Sequence, residues 1–230
     1  MNILLNRKTI SVSILDVKDV ESFLKKMCDI KAKLNLDNII IHFDVMDGDF
    51  VLANGIDLNF TKLALKYQFF IDVHLMVSDP EMWIKKAYNL GANNITIHYE
   101  SENLYKNLEL LNEIKKEADR PFSIGISVKP DTDVRKLFNY SKLCDLILVM
   151  SVEPGYGGQT YMNKVNEKIS IAKNMNKIVQ IDGGINIDTI TNPCNLGVDS
   201  FVIGSYFTKD SNELEIKISQ IENVINGVEK

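Results

Sequence analysis

The order of its segments constrains this chain most. Eight short apolar runs recur along 230 residues, separated by amphipathic stretches. The runs are Ile10–Leu15, Ile39–Val45, Phe69–Met76, Asn94–Tyr99, Phe122–Ser127, Leu146–Val152, Ile178–Ile181 and Ser200–Phe207. Most are β-branched or nearly continuously apolar, as strands buried on both faces should be. Between them, Val20, Phe23, Leu24, Met27 and Ile30 share one helical face. The same spacing links Leu104, Leu108 and Leu111, and later Leu214, Ile218, Ile221 and Ile225. Ser78-Asp79-Pro80 supplies a cap and a first-turn proline, Gly91 follows that helix, and Ser101 and Ser211 are predicted caps for two others. Alternation on this scale predicts parallel β/α units closed as one α/β domain over residues 1–230, a (β/α)8 TIM barrel. The competing open, doubly wound sheet lacks its glycine-rich dinucleotide fingerprint after the first run.

Composition narrows the function classes. The chain is 45% hydrophobic and 25% charged with a formal net charge of -5, so disorder, collagen-like repeats and coiled coil are out. No apolar run approaches the roughly 18 residues a membrane span needs, and MNILLNRKTI has no secretory pattern. An acidic chain without a basic block argues against nucleic acid or a membrane surface as partner. Cys28, Cys144 and Cys194 match neither a disulfide framework nor a metal finger. They read as small buried hydrophobes in a reducing, cytoplasmic location.

Barrel enzymes work at the C-terminal ends of their strands, and there the polar residues stand out. The three histidines, His42, His74 and His98, all fall late in predicted strands two to four. Each alone reads as a hydrogen-bonded core residue; three near one rim point to a site. His42 and Asp44 share a strand face, as do Asp72, His74 and Met76, and Asp182 ends strand seven. Buried carboxylates need partners. Two histidines and two aspartates converging on one rim suit one divalent cation, with Zn, Fe, Mn or Co preferred over Ca or Mg. A metal-free Asp–His hydrogen-bond network fits the same spacing. Glycine-rich segments follow the late strands: Gly155-Tyr156-Gly157-Gly158, Gly183-Gly184 and Gly204-Ser205, the last read as lying in strand eight. Their amides could cradle a phosphate, which would have few cationic helpers because only Arg7, Arg120 and Arg135 are present.

Ser13-Ile14-Leu15, His42 through Gly48, Asp72 through Val77, Met150 through Gln159, Asp182 through Asn186 and Gly204-Ser205 resemble, in order, the motifs of the ribulose-phosphate 3-epimerase family. The resemblance spans nearly the whole chain. It implies interconversion of ribulose 5-phosphate and xylulose 5-phosphate by a homo-oligomer acting on a small sugar phosphate. It implies His42, Asp44, His74 and Asp182 as metal ligands, with Asp44 and Asp182 also moving protons. Ser13 would contact substrate, and Met46, Met76 and Met150 would line the reacting centre. The three glycine-rich segments would hold the phosphate, and His98 would stand behind the ligands. Inverting C3 needs a proton removed from one face and returned on the other, hence two carboxylates.

Departures from the family pattern are Val12 for proline, Asp16 for a small polar residue, and Asp49, Leu52 and Ala53 after the MDG turn. Asp49 is expected to add negative charge near the metal. These changes keep open a related substrate such as allulose 6-phosphate, or a silent sugar-phosphate-binding paralogue. A decarboxylase or aldolase-like lyase is disfavoured, because His74 stands where those relatives carry a lysine.

Overall fold

Alternation within each strand, rather than uniform apolarity, builds this barrel. In the second strand, Ile39, Ile41, Phe43 and Val45 belong to the main apolar core, while His42, Asp44 and Met46 point the other way. The computed structural model describes residues 8–227; Met1–Arg7, part of the stretch read for a leader, and residues 228–230 lie outside them. The described strands are β1 (Thr9–Ser13), β2 (Ile39–Met46), β3 (Ile71–Met76), β4 (Asn94–His98), β5 (Ser123–Val128), β6 (Leu146–Met150), β7 (Ile178–Asp182) and β8 (Ser200–Ile203). All pair in parallel with their sequence neighbours, and β8 closes on β1. This is a (β/α)8 TIM barrel.

The outer ring contains α1 (Val20–Lys33), α2 (Thr61–Lys66), α3 (Glu81–Asn89), α4 (Leu104–Glu117), α5 (Asn166–Lys173), α6 (Thr191–Asn195), α7 (Ser205–Thr208) and α8 (Leu214–Ile225). Asp19 caps α1 by accepting a 3.1 Å hydrogen bond from the Ser22 amide. The predicted faces of α1, α4 and α8 are buried, and with the outward strand residues they form the core beneath the helices. Inside the barrel the apolar share is smaller, led by Ile40, Leu146, Leu148 and Met150. Elsewhere the strands present Ser11, Asp72, Asn94, Thr96 and Gln180, all buried. The strands are thus buried on both faces as expected, but one face is polar and hydrogen-bonded across the barrel.

Four local expectations change. β1 stops at Ser13, two residues short of Leu15. β8 stops at Ile203, so Gly204-Ser205 lies beyond the strand; Gly204 turns the chain and Ser205 opens α7, which carries the fully buried Phe207. The connection between β5 and β6 is 3-10 helix over Val134–Leu143 rather than α-helix. Ser101 does not cap α4: its hydroxyl donates to the Val77 carbonyl at 2.7 Å, and Asn103, in the left-handed region at φ 52°, precedes the helix. The pairing register carries the chemistry to one end. It sets Ser13 beside His42, Asp44 beside His74, Met46 beside Met76 and Met150 beside Asp182.

Candidate active site

Strand register brings four polar side chains from β2, β3 and β7 to one point. His42 Nε2 lies 3.2 Å from Asp44 Oδ1 and 4.0 Å from Asp182 Oδ2. His74 Nδ1 lies 3.4 Å from Asp44 Oδ1 and 3.5 Å from Asp182 Oδ2. One ligand atom from each residue lies within 4.8 Å of all the others. Nitrogen and oxygen ligands at about 2.0–2.2 Å from a metal stand roughly 3–3.5 Å from their neighbours, close to these separations. Both facing nitrogens are buried and make no hydrogen bond, although carboxylates are near. They point toward a shared centre instead of toward an acceptor, which is the arrangement of donors around one cation. The cluster could therefore hold a metal ion.

Electrostatics agree with that fit. Burial opposes charge on both imidazoles, yet Asp44 and Asp72 draw the His42 pKa well above its usual value. Asp182 and Asp44 raise that of His74 in the same way. Burial would also lift Asp44, but His42 and His74 hold its carboxyl well below the carboxylate range. The pocket favours positive charge among its carboxylates.

The supporting residues determine which atoms face the centre. His42 Nδ1 lies 2.8 Å from Asp72 Oδ2, and Ser11 and Gln180 each donate to that oxygen at 2.8 Å. Asn94 donates to Asp72 Oδ1 at 2.7 Å. Four partners keep the buried Asp72 ionised: burial opposes this, and His42 leads the groups that outweigh it. Ser13 Oγ donates to Asp44 Oδ2 at 2.8 Å. The Ser151 amide and hydroxyl hold the Asp182 carbonyl at 2.7 and 2.8 Å, and the hydroxyl also reaches the Gly183 carbonyl.

A cleft opens above this cluster, lined by Ser13, Asp44, Met46, Met76, Met150 and Asp182. Gly155, Tyr156, Gly157, Gly158, Gly183, Gly184, Gly204 and Ser205 complete its rim. Gly184, at φ +65°, has no room for a side chain, because a Cβ would run into the Tyr161 backbone. His42 and His74, expected to touch substrate, are fully buried and lie behind Asp44 and Asp182, outside the residues that line the cleft.

Comparison with known proteins now assigns the family. A model of the ribulose-phosphate 3 epimerase family matches residues 9–208. A ribulose-phosphate 3-epimerase of Mycobacterium tuberculosis is 37% identical over 173 residues, covering 72% of this chain and 73% of that protein. One from Eremothecium gossypii is 33% identical over 198 residues, covering 80% of each.

The chain belongs to the ribulose-phosphate 3 epimerase family.

Two solved structures share the fold with this epimerase-family member. The 3-hexulose-6-phosphate synthase from Salmonella typhimurium superposes with a TM-score of 0.70 at 14% identity, over 96% of this chain and 100% of that one. KGPDC from Streptococcus mutans also gives 0.70 at 14%, over 98% and 100%. At such identity they speak for the barrel alone.

Three residues in this family member stand apart from the sequence-based expectations. Lys209, absent from the sequence-based candidates, brings its ammonium to the glycine rim: a Cβ on Gly158 would meet Lys209 Nζ at 3.2 Å and Ser205 Oγ at 3.8 Å. Five residues beyond Gly204, it follows α7, a helical turn where the apolar run predicts the end of strand eight. Asp16 lines the cleft with its carboxylate against Gly157. Asp49, by contrast, is exposed and lies outside both the cleft lining and the four-residue cluster; its amide folds back onto Asp47 Oδ1 at 2.9 Å.

Proposed function

We propose that this protein epimerises a ketopentose phosphate at C3, interconverting D-ribulose 5-phosphate and D-xylulose 5-phosphate. The observation that carries this reading is the pair of carboxylates. Asp44 on β2 and Asp182 on β7, separated around the ring by β1 and β8, border the same two histidines and both line one cleft. A substrate lying between them would present opposite faces of C3 to the two acids.

In this reading one carboxylate accepts the C3 proton and the other delivers a proton to the opposite face. Ser13 orients Asp44 through its hydroxyl, and Ser151 holds the β7 end that carries Asp182. Met46, Met76 and Met150 supply a polarisable, water-poor wall that offers no competing proton. The glycine rim and Lys209 receive the phosphate. His42, Asp44, His74 and Asp182 would hold a divalent cation (Zn, Fe, Mn or Co), which when bound polarises the C2 carbonyl and stabilises the charge that develops beside it. The net charge of -5 argues against nucleic acid as partner and leaves room for a small anion held locally, and among the described residues no helix is long and apolar enough to cross a membrane. We place the enzyme in the cytoplasm as a homo-oligomer, following its family.

Asp182→Asn tests the two-carboxylate mechanism. The expected variant folds and loses epimerisation by about 10³-fold or more, within the range of one positioned acid or base. It should retain exchange of the C3 proton on one face, read as deuterium uptake without inversion. Normal turnover by this variant would remove the mechanism.

A further inference from the structure

Behind His74 runs a buried chain of polar contacts that the mechanism does not use. His74 Nε2 meets His98 Nε2 at 2.9 Å, their rings stacked with centroids 4.9 Å apart. His98 Nδ1 lies 3.1 Å from Glu100 Oε2. The other Glu100 oxygen accepts from the Lys129 amide at 2.9 Å and from the Thr132 hydroxyl. Both histidines are fully buried. Phe50 covers the His98 ring at 4.8 Å, with the Lys129 ammonium 3.9 Å over the Phe50 ring.

Each contact dictates the next. An ionised carboxylate only accepts hydrogen bonds, so His98 Nδ1 must carry the proton that meets Glu100. Two ring nitrogens at 2.9 Å need one donor and one acceptor. A neutral His98 therefore accepts at Nε2, and His74 donates from its own Nε2. In the neutral ring, the form that can ligate a metal, that leaves the lone pair on His74 Nδ1, the atom facing Asp44 and Asp182.

We infer that Glu100 and His98 are positioning residues that hold His74 as a metal ligand through Nδ1, by fixing its ring orientation and tautomer from behind. The pair thereby connects the metal site to the loop after β5, through Lys129 and Thr132. His42 has its counterpart in Asp72, but there one carboxylate acts directly; His74 is served through a second imidazole. This rests on the metal-binding reading above, and the test separates the two.

Zinc affinity is measured by chelator competition on wild type, Glu100→Gln and His98→Phe, alongside melting of the metal-free proteins. Partners behind a metal-ligating histidine typically change affinity 10–100-fold, and each variant is expected to bind zinc at least tenfold more weakly. Wild-type affinity in both variants would overturn the inference, even if melting fell, because a purely structural role predicts that pattern. Failure of wild type to bind zinc stoichiometrically would instead remove the metal reading itself. A second measurement needs no variant. In zinc-loaded wild type, long-range proton–nitrogen correlation should show His98 protonated on Nδ1 alone and His74 on Nε2 alone, with three histidines to assign. A proton on His98 Nε2 would overturn the inference.

Discussion

Gln180 donates a 2.8 Å hydrogen bond to Asp72 across the barrel interior, joining β7 to β3 between residues 108 apart in sequence. The contact lies one layer below the four-residue cluster, and Asp72 is also the partner of His42 Nδ1. The polar interior therefore works as a support for the site. Asp72→Asn keeps the side-chain shape but removes the charge that orients His42. The expected result is a folded barrel with zinc affinity lowered about 10–100-fold, measured by chelator competition.

Lys209 is exposed and makes no ion pair among the described residues. Its ammonium stands beside Gly158 and Ser205, where the proposed phosphate would rest. A hydrogen bond to a charged group contributes about 1.5–3 kcal/mol when well formed, less when solvent screens it. Lys209→Ala should raise KM for the sugar phosphate by about tenfold and leave kcat within about twofold. Steady-state kinetics at low and high salt check this, with the difference shrinking as salt rises.

Asp16 acts in the opposite sense. Its carboxylate stands against Gly157 at the cleft rim, close to where the proposed sugar phosphate would bind. Asp16→Ser removes one negative charge and should lower KM by about two- to fivefold at low ionic strength. An unchanged KM would mean that the substrate phosphate keeps well away from β1.

The cysteines yield a pH prediction. Burial pushes the Cys144 thiol up to about 12. Only the thiolate is a good nucleophile, so Cys144 remains protonated and unreactive through pH 8 and beyond. Cys28 is partly exposed. Mass spectrometry after brief iodoacetamide treatment of the folded protein at pH 8 should find Cys28 modified and Cys144 untouched. Denaturation should abolish the contrast.

Much of this protein is legible without coordinates. The eight runs became the eight described strands, mostly within two residues at each end. His42, Asp44 and His74 were readable because a period of two fixes which residues share a strand face, and Asp182 because it ends its strand. The misses follow from interactions that lack such a period. Ser101 looks like a cap, yet the Val77 carbonyl, 24 residues away, takes its hydroxyl. The run Ser200–Phe207 looks like one strand, but Gly204 turns the chain and Phe207 reaches the core from a helix instead. Asp49 was expected near the cluster, but the turn centred on Asp47 holds it outward.

The order of apolar runs, by itself, determined a closed β/α barrel and placed its polar residues at strand ends, since hydrophobic period and chain connectivity are local properties. Only the tertiary structure decided what lies next to what across the barrel. It brought Lys209 back to the glycine rim, set Asp16 against Gly157, and lined up His74, His98 and Glu100. Those relationships depend on barrel closure and on loop direction, and neither is encoded in the spacing of residues along one strand.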